Sequence, residues 1–96
     1  VPRESGVERF LVEELKRRGG AAIKLTGVLG IPDRLVLLNG VAAFAELKAP
    51  TGRLSTAQRV WSARLARMGF QTWTPRTRDD VRDLMEWIEC QSTMTP

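Results

Sequence analysis

The stretch Gly30 to Lys48, GIPDRLVLLNGVAAFAELK, decides how the rest of the chain is read. Two apolar runs, Leu35 to Leu38 and Val41 to Leu47, meet at Asn39-Gly40, the dipeptide that most readily forms a two-residue hairpin turn. A loop of that length fixes the register: Leu38 faces Val41, Leu37 faces Ala42, Leu35 faces Phe44 and Asp33 faces Glu46. Side chains alternate along a strand, so Asp33, Glu46 and Lys48 share one face. Directly opposed residues have Cβ atoms roughly 5 Å apart, and like charges there repel. Lys48 supplies one positive charge against two carboxylates. A hard divalent ion, Mg²⁺ or Mn²⁺, would use such oxygens and keep its remaining positions for water and phosphate.

Working outward, the sequence predicts a helix over Ser5 to Arg18, with Val7, Phe10, Leu11 and Leu15 on its apolar face and Gly19-Gly20 as its stop. Glu8 has two readings: the second half of a Ser5-x-x-Glu8 capping box, or an acid reaching inward beside the hairpin, with Glu4 as substitute if the helix starts earlier. Ala21 to Leu25 reads as a short strand on which Lys24 is a phosphate contact or a solvated edge residue. Residues 26 to 30 form a loop whose glycines permit close backbone approach to a substrate. Pro32, lacking an N–H, suits a strand's first position.

Beyond the hairpin, residues 49 to 53 are a turn and Ser55 begins a second helix. Ala57, Val60, Trp61, Leu65 and Met68 form its apolar stripe, with Trp61 assigned to the core. Ser55-x-x-Gln58 is another capping box. Phe70 to Pro75 reads as an edge strand, in which Trp73 is buried, stacked on a base or placed at a subunit interface. Thr77 caps a third helix with Asp79 and Asp80 in its first turn and Val81, Leu84, Met85 and Ile88 facing the core. Residues 91–96 read as a frayed tail. The sum is an α/β (α+β) domain spanning 1–96: helix, strand, hairpin, helix, strand, helix, giving a mixed sheet of about four strands with helices on both faces.

Composition narrows the chemistry. There is no histidine and only one cysteine, Cys90, which removes Ser-His-Asp and Cys-His nucleophilic sites, an internal disulfide and cysteine-rich metal clusters. A metal here would be held by oxygen. No apolar run approaches a membrane span and no signal-peptide core is visible, so a cytoplasmic location without a membrane partner is the default expectation. The net charge of +4 hides an asymmetry: from Lys16 to Arg78 twelve Lys or Arg stand against two acids, Asp33 and Glu46. A basic middle around paired carboxylates is the footprint of a protein that holds a polyanion against a metal. Arginine outnumbers lysine twelve to three, and its planar fork suits phosphate.

Glu8, Gly19-Gly20, Lys24, Gly30-Ile31-Pro32-Asp33-Arg34, Glu46-Leu47-Lys48-Ala49-Pro50 and Ser55 to Gln58 occur in an order that resembles the VRR-NUC branch of the PD-(D/E)XK nuclease superfamily. The resemblance spans Glu4 to about Ile88; the C-terminal third carries no motif of its own. It implies a restriction-endonuclease-like core, and metal ligands at Asp33, Glu46, the Leu47 backbone carbonyl and Glu8. It further implies Lys48 as the group stabilising the transition state and Gln58 as a partner of the attacking water or a phosphate oxygen. Lys24, Arg34, Arg53 and Arg59 are the candidate DNA contacts. Relatives include small stand-alone phage and bacterial enzymes similar to Holliday-junction resolvases, and domains of DNA-repair nucleases.

The expected function is therefore a Mg²⁺-dependent endonuclease acting on branched DNA, with flap or linear DNA as the other substrates and no small-molecule cofactor. Cutting both strands of a junction needs two sites, which a homodimer supplies. The competing reading is a nucleic-acid-binding module without catalysis. Against it, two opposed carboxylates in a basic region weaken phosphate attraction and serve a pure binder no purpose.

Overall fold

The computed structural model describes residues 4–93, with side chains described from Gly6 to Ser92. The elements follow in the order α1 (Glu4–Arg17), β1 (Ala21–Lys24), β2 (Arg34–Leu38), β3 (Val41–Ala45), α2 (Thr56–Arg67), β4 (Thr72–Trp73) and α3 (Arg78–Thr93). The expected fold class is observed. The side chains of the capping partner Ser5 and the substitute acid Glu4, and residues 94–96 of the expected tail, lie outside the described residues.

The four strands lie in the order β1-β2-β3-β4. The first three are antiparallel and β4 runs parallel to β3, as required when a helix carries the chain back across the sheet. The hairpin register is the one set by the turn: Leu38 pairs with Val41, Leu37 with Ala42 and Leu35 with Phe44. Asn39 and Gly40 both have positive φ, 53° and 79°, the signature of type I′.

Alternation divides the sheet into two unlike faces. Val36, Leu38, Ala45 and Leu47 join Leu11 and Leu15 of α1 and Val81, Leu84, Met85 and Ile88 of α3 in one closed core. On the other face, Ile23 (45% exposed), Leu37 (37%) and Phe70 (39%) remain partly open to solvent. Phe44 and Phe70 meet there edge to face at 5.8 Å.

Several boundaries differ from expectation for physical reasons. β3 ends at Ala45 rather than Leu47 because the Leu47 amide, the next one due to bond β2, donates to the Asp33 carboxylate instead. Glu46 N donates to Trp73 O at 2.8 Å, and Lys48 N to Pro75 O at 3.4 Å. The edge strand shrinks to two residues, and β1 stops at Lys24. The tail expected from residue 91 is helical as far as Thr93. Thr77 Oγ1 accepts from Asp80 N while Asp80 Oδ2 accepts from Thr77 N, so α3 begins at a reciprocal cap.

The largest departure is the roll of α2. Of its expected apolar stripe only Leu65 is buried, while Val60 and Met68 are 51% and 57% exposed. Trp61 is half-buried and lies outside the core cluster, with the Arg64 guanidinium 4.2 Å from its ring centre. The helix has turned about its axis so that Gln58, Trp61, Ser62 and Leu65 face inward.

Candidate active site

The open end of the β2–β3 hairpin is where the ladder gives way to side chains. β3 directs its Phe44, Glu46 and Lys48 amides at the β4 segment, which leaves the Leu47 amide aimed at β2. No backbone carbonyl receives it; the Asp33 carboxylate does, with Oδ2 accepting from Leu47 N at 2.9 Å. A side chain thus takes the place of a ladder bond.

Glu46 lies beside it and is 4% exposed, the one buried charged residue among those described. Burial is the main reason its carboxyl is pushed up to about 7, and the neighbouring Asp33 charge adds to the rise. Lys48 opposes the shift, with its Nζ 3.7 Å from Glu46 Oε2. Gln58 Nε2 donates to the same oxygen at 2.8 Å. Oε1 is buried with no hydrogen-bond partner, a costly state for a carboxylate unless a proton or cation reaches it.

The capping reading of Gln58 is observed, and its side chain makes a second contact that neither of its sequence readings gave. Its backbone N donates to Ser55 Oγ at 3.1 Å, and its Oε1 accepts from Ser55 N at 2.7 Å. The amide's oxygen end caps α2 while its nitrogen end holds Glu46. This double engagement accounts for the roll of α2: bringing Gln58 onto Glu46 turns Val60 and Met68 away from the sheet. The loop before β2 fits closely against the same turn. At Gly30, φ is +86° and a Cβ would lie 2.6 Å from the Ala57 carbonyl carbon and oxygen. Close approach is made here to α2, so the glycine serves the packing of the site.

The remaining predicted residues fall elsewhere. Glu8 Oε2 accepts from Arg34 Nε at 2.9 Å and pairs with Nη2 at 2.8 Å, and Arg34 Nη1 donates to Ala22 O. Alternation puts Arg34 on the α1 face of β2, opposite to Asp33, so the nearest acid for it is on α1. The structure joins Glu8 and Arg34 to each other, a pairing that neither expected role gave. No group of three acidic side chains set to share one ion occurs among the described residues. Lys24, Arg53 and Arg59 are exposed, and Arg59 Nη1 donates to Leu54 O at 3.1 Å.

Arg76 was not anticipated. Its Nη1 donates to the carbonyls of Ala49, at 3.0 Å, and Gly52, tying down the turn between Lys48 and the start of α2. Its own amide donates to Asp80 Oδ2 at 2.8 Å, so the cap of α3 anchors the residue that holds this turn. In sequence it is one arginine among twelve, with nothing local to mark it.

Two carboxylates, a lysine and a glutamine converge on one end of a hairpin in a mixed sheet flanked by helices, the arrangement of a PD-(D/E)XK-type nuclease. A protein named "Putative nuclease p44", from Acyrthosiphon pisum secondary endosymbiont phage 1, is 43% identical over 72 residues, covering 72% of this chain and 77% of that protein. A solved structure described as a VRR_NUC domain matches with a TM-score of 0.81 at 28% identity, over 90% of this chain and 97% of the other. No family model matches the chain. The chain belongs to the VRR-NUC family of nucleases.

Proposed function

We propose that this VRR-NUC protein is a divalent-metal-dependent endonuclease that hydrolyses phosphodiesters in branched DNA such as Holliday junctions, with Mg²⁺ as its ion, residues 1–96 as one catalytic domain and a homodimer as the active form. The observation that carries the metal site is the Asp33–Glu46 pair: a buried carboxyl raised to about 7, with one oxygen unpartnered beside a second acid. The donor set fits a hard cation, because both side chains offer anionic oxygen and nearby Lys48 leaves the pair with net negative charge. Asp33, Glu46 and the Leu47 carbonyl would hold the ion. Glu8 would join them only on leaving Arg34.

Bound there, such an ion would supply Lewis acidity toward the scissile phosphate and would lower the pKa of water. The protein supplies the rest. Asp33 is oriented by the Leu47 amide and Glu46 by Gln58, so both ligands are fixed before substrate arrives. Lys48, with its Nζ 3.7 Å from Glu46 Oε2, serves to stabilise charge developing on the phosphate. Gln58 can exchange its hold on Glu46 for a hydrogen bond to the attacking water or a phosphate oxygen.

The test is incubation with four-way junction, flap and linear duplex DNA, with Mg²⁺ or EDTA, comparing the native chain with Lys48→Ala. Junction cleavage that needs Mg²⁺ and is lost in the variant is expected. Equal digestion by both proteins would refute the assignment of the site, and preference for flap or linear DNA would refute the junction. Sedimentation during cleavage decides the dimer.

A further inference from the structure

Eight of the described arginines fall into two contrasting groups. Arg17 and Arg18 share Glu14 at 2.6 Å, Arg34 is held by Glu8 and Arg82 by Asp79 at 2.7 Å. By contrast Arg53, Arg59, Arg64 and Arg67 have no carboxylate within 4.0 Å among the described residues. The sequence explains the contrast: between Glu46 and Asp79 there are seven Lys or Arg and no acid. Four of these seven cations lie on α2 or the turn leading into it.

At 100° per residue, Arg59, Arg67 and Arg64 fan across the side of α2 opposite Leu65 and Gln58, and all three are exposed. From Arg59 to Arg67 the helix rises about 12 Å, the length of three to four nucleotides at roughly 3.4 Å each. Two of these guanidinium groups are also restrained. Arg59 is tied to Leu54 O and Arg64 lies over the Trp61 ring, so less freedom is lost when their open edges meet an anion. The helix begins at the site itself, since Gln58 in its first turn bonds Glu46.

We infer that the outer face of α2, formed by Arg59, Arg64 and Arg67, is a docking track for the DNA backbone that leads the scissile phosphate to Asp33 and Glu46. The roll of α2 now has a second consequence, because the same rotation that places Gln58 on Glu46 presents these arginines outward. The inference rests on the nuclease reading for what is bound, and on the charge segregation for where. Electrostatic attraction to phosphate is measured by the dependence of affinity on salt, with a slope of about 0.9 per phosphate contacted on duplex DNA.

The experiment compares two triple variants of equal net charge, Arg59→Gln/Arg64→Gln/Arg67→Gln and Arg17→Gln/Arg18→Gln/Arg82→Gln. Both are built on Lys48→Ala and titrated by fluorescence anisotropy into labelled duplex and four-way junction DNA without divalent ion, over a range of salt. Far-ultraviolet circular dichroism establishes that each is folded, and the single Arg64→Gln and Arg67→Gln variants stand in for the α2 triple if it is not. The α2 triple should bind at least about thirtyfold more weakly at low salt and lose about two to three units of salt slope. The second triple should stay within about threefold of the parent. Equal losses in both, or none in the α2 triple, overturn the track. The readout is separate from catalysis: if Lys48→Ala cuts like the native chain, the nuclease site fails while a selective α2 loss still establishes the track.

Discussion

The two faces of the sheet do different work, and the difference is written in their burial. On the α1–α3 face, Leu11, Leu15, Val36, Val81, Leu84 and Ile88 are all at 0% exposure, and Arg34 is paired with Glu8. On the α2 face, Ile23, Leu37 and Phe70 stay open, as do Val60 and Met68 on the outer side of α2, and a carboxyl is buried with an unpartnered oxygen. Stability is concentrated where apolar surface closes. The candidate site lies where the protein tolerates repulsion and exposed apolar surface, a common cost of a preorganised site.

The comparison breaks most directly if truncating the closed face leaves stability intact. Leu84→Ala is expected to cost about 2–5 kcal/mol, because a fully buried leucine leaves a cavity that the two helices cannot collapse onto; urea unfolding measures it. On the other face Lys48→Ala should lower single-turnover cleavage by about 10²–10³-fold, with less than about 1 kcal/mol change in stability. A large loss of stability there would show that the site also supports the fold.

The buried carboxyl sharpens the contrast through pH. With its pKa raised to about 7 from 4.5, Glu46 binds a proton in the folded chain that the unfolded chain has already released. Stability contributed by the protonated form is present below about pH 4.5 and is lost as pH rises toward 7, by up to about 3 kcal/mol. Glu46→Gln should flatten that slope in unfolding midpoints measured between pH 4.5 and 7.5. In the native chain Mg²⁺ should flatten it too, by competing with the proton.

Two smaller effects separate support from chemistry within the site. Gln58→Glu retains the capping pattern but sets a third carboxylate against Glu46. It should leave α2 helical by circular dichroism, raise Glu46's pKa further and slow cleavage by about tenfold or more. Arg76→Ala frees the Ala49 and Gly52 carbonyls and should cost about 1–2 kcal/mol. Cleavage should fall several-fold, with Arg76→Lys restoring part of both, since one cation can still reach one carbonyl.

What could be read early was local. Asn39-Gly40 set the pairing of Leu35 with Phe44, and the alternation from that point placed Asp33, Glu46 and Lys48 together. The apolar face of α3 was legible because Val81, Leu84, Met85 and Ile88 follow the helical period. The caps at Ser55 and Thr77 were legible because each closes within four residues. Trp61 misled, since an aromatic at helical spacing reads as core whether or not the helix later rolls. The pairing of Glu8 with Arg34 was not legible, because its spacing from Gly19-Gly20 says nothing about which residue of β2 it will meet.

The chain's own order of residues determined the hairpin, its register, the opposed acids and the acid-free run of cations between Glu46 and Asp79. Those depend on period, turn chemistry and composition, all of which act within a few residues. Only tertiary structure decided the roll of α2, the diversion of Glu8 to Arg34 and the grip of Arg76 on the turn after Lys48. Each is a choice among partners far apart in sequence. Which partner wins is set by polar groups drawn from water, here Oε2 of the buried Glu46 and the backbone carbonyls of the half-buried Ala22, Ala49 and Gly52.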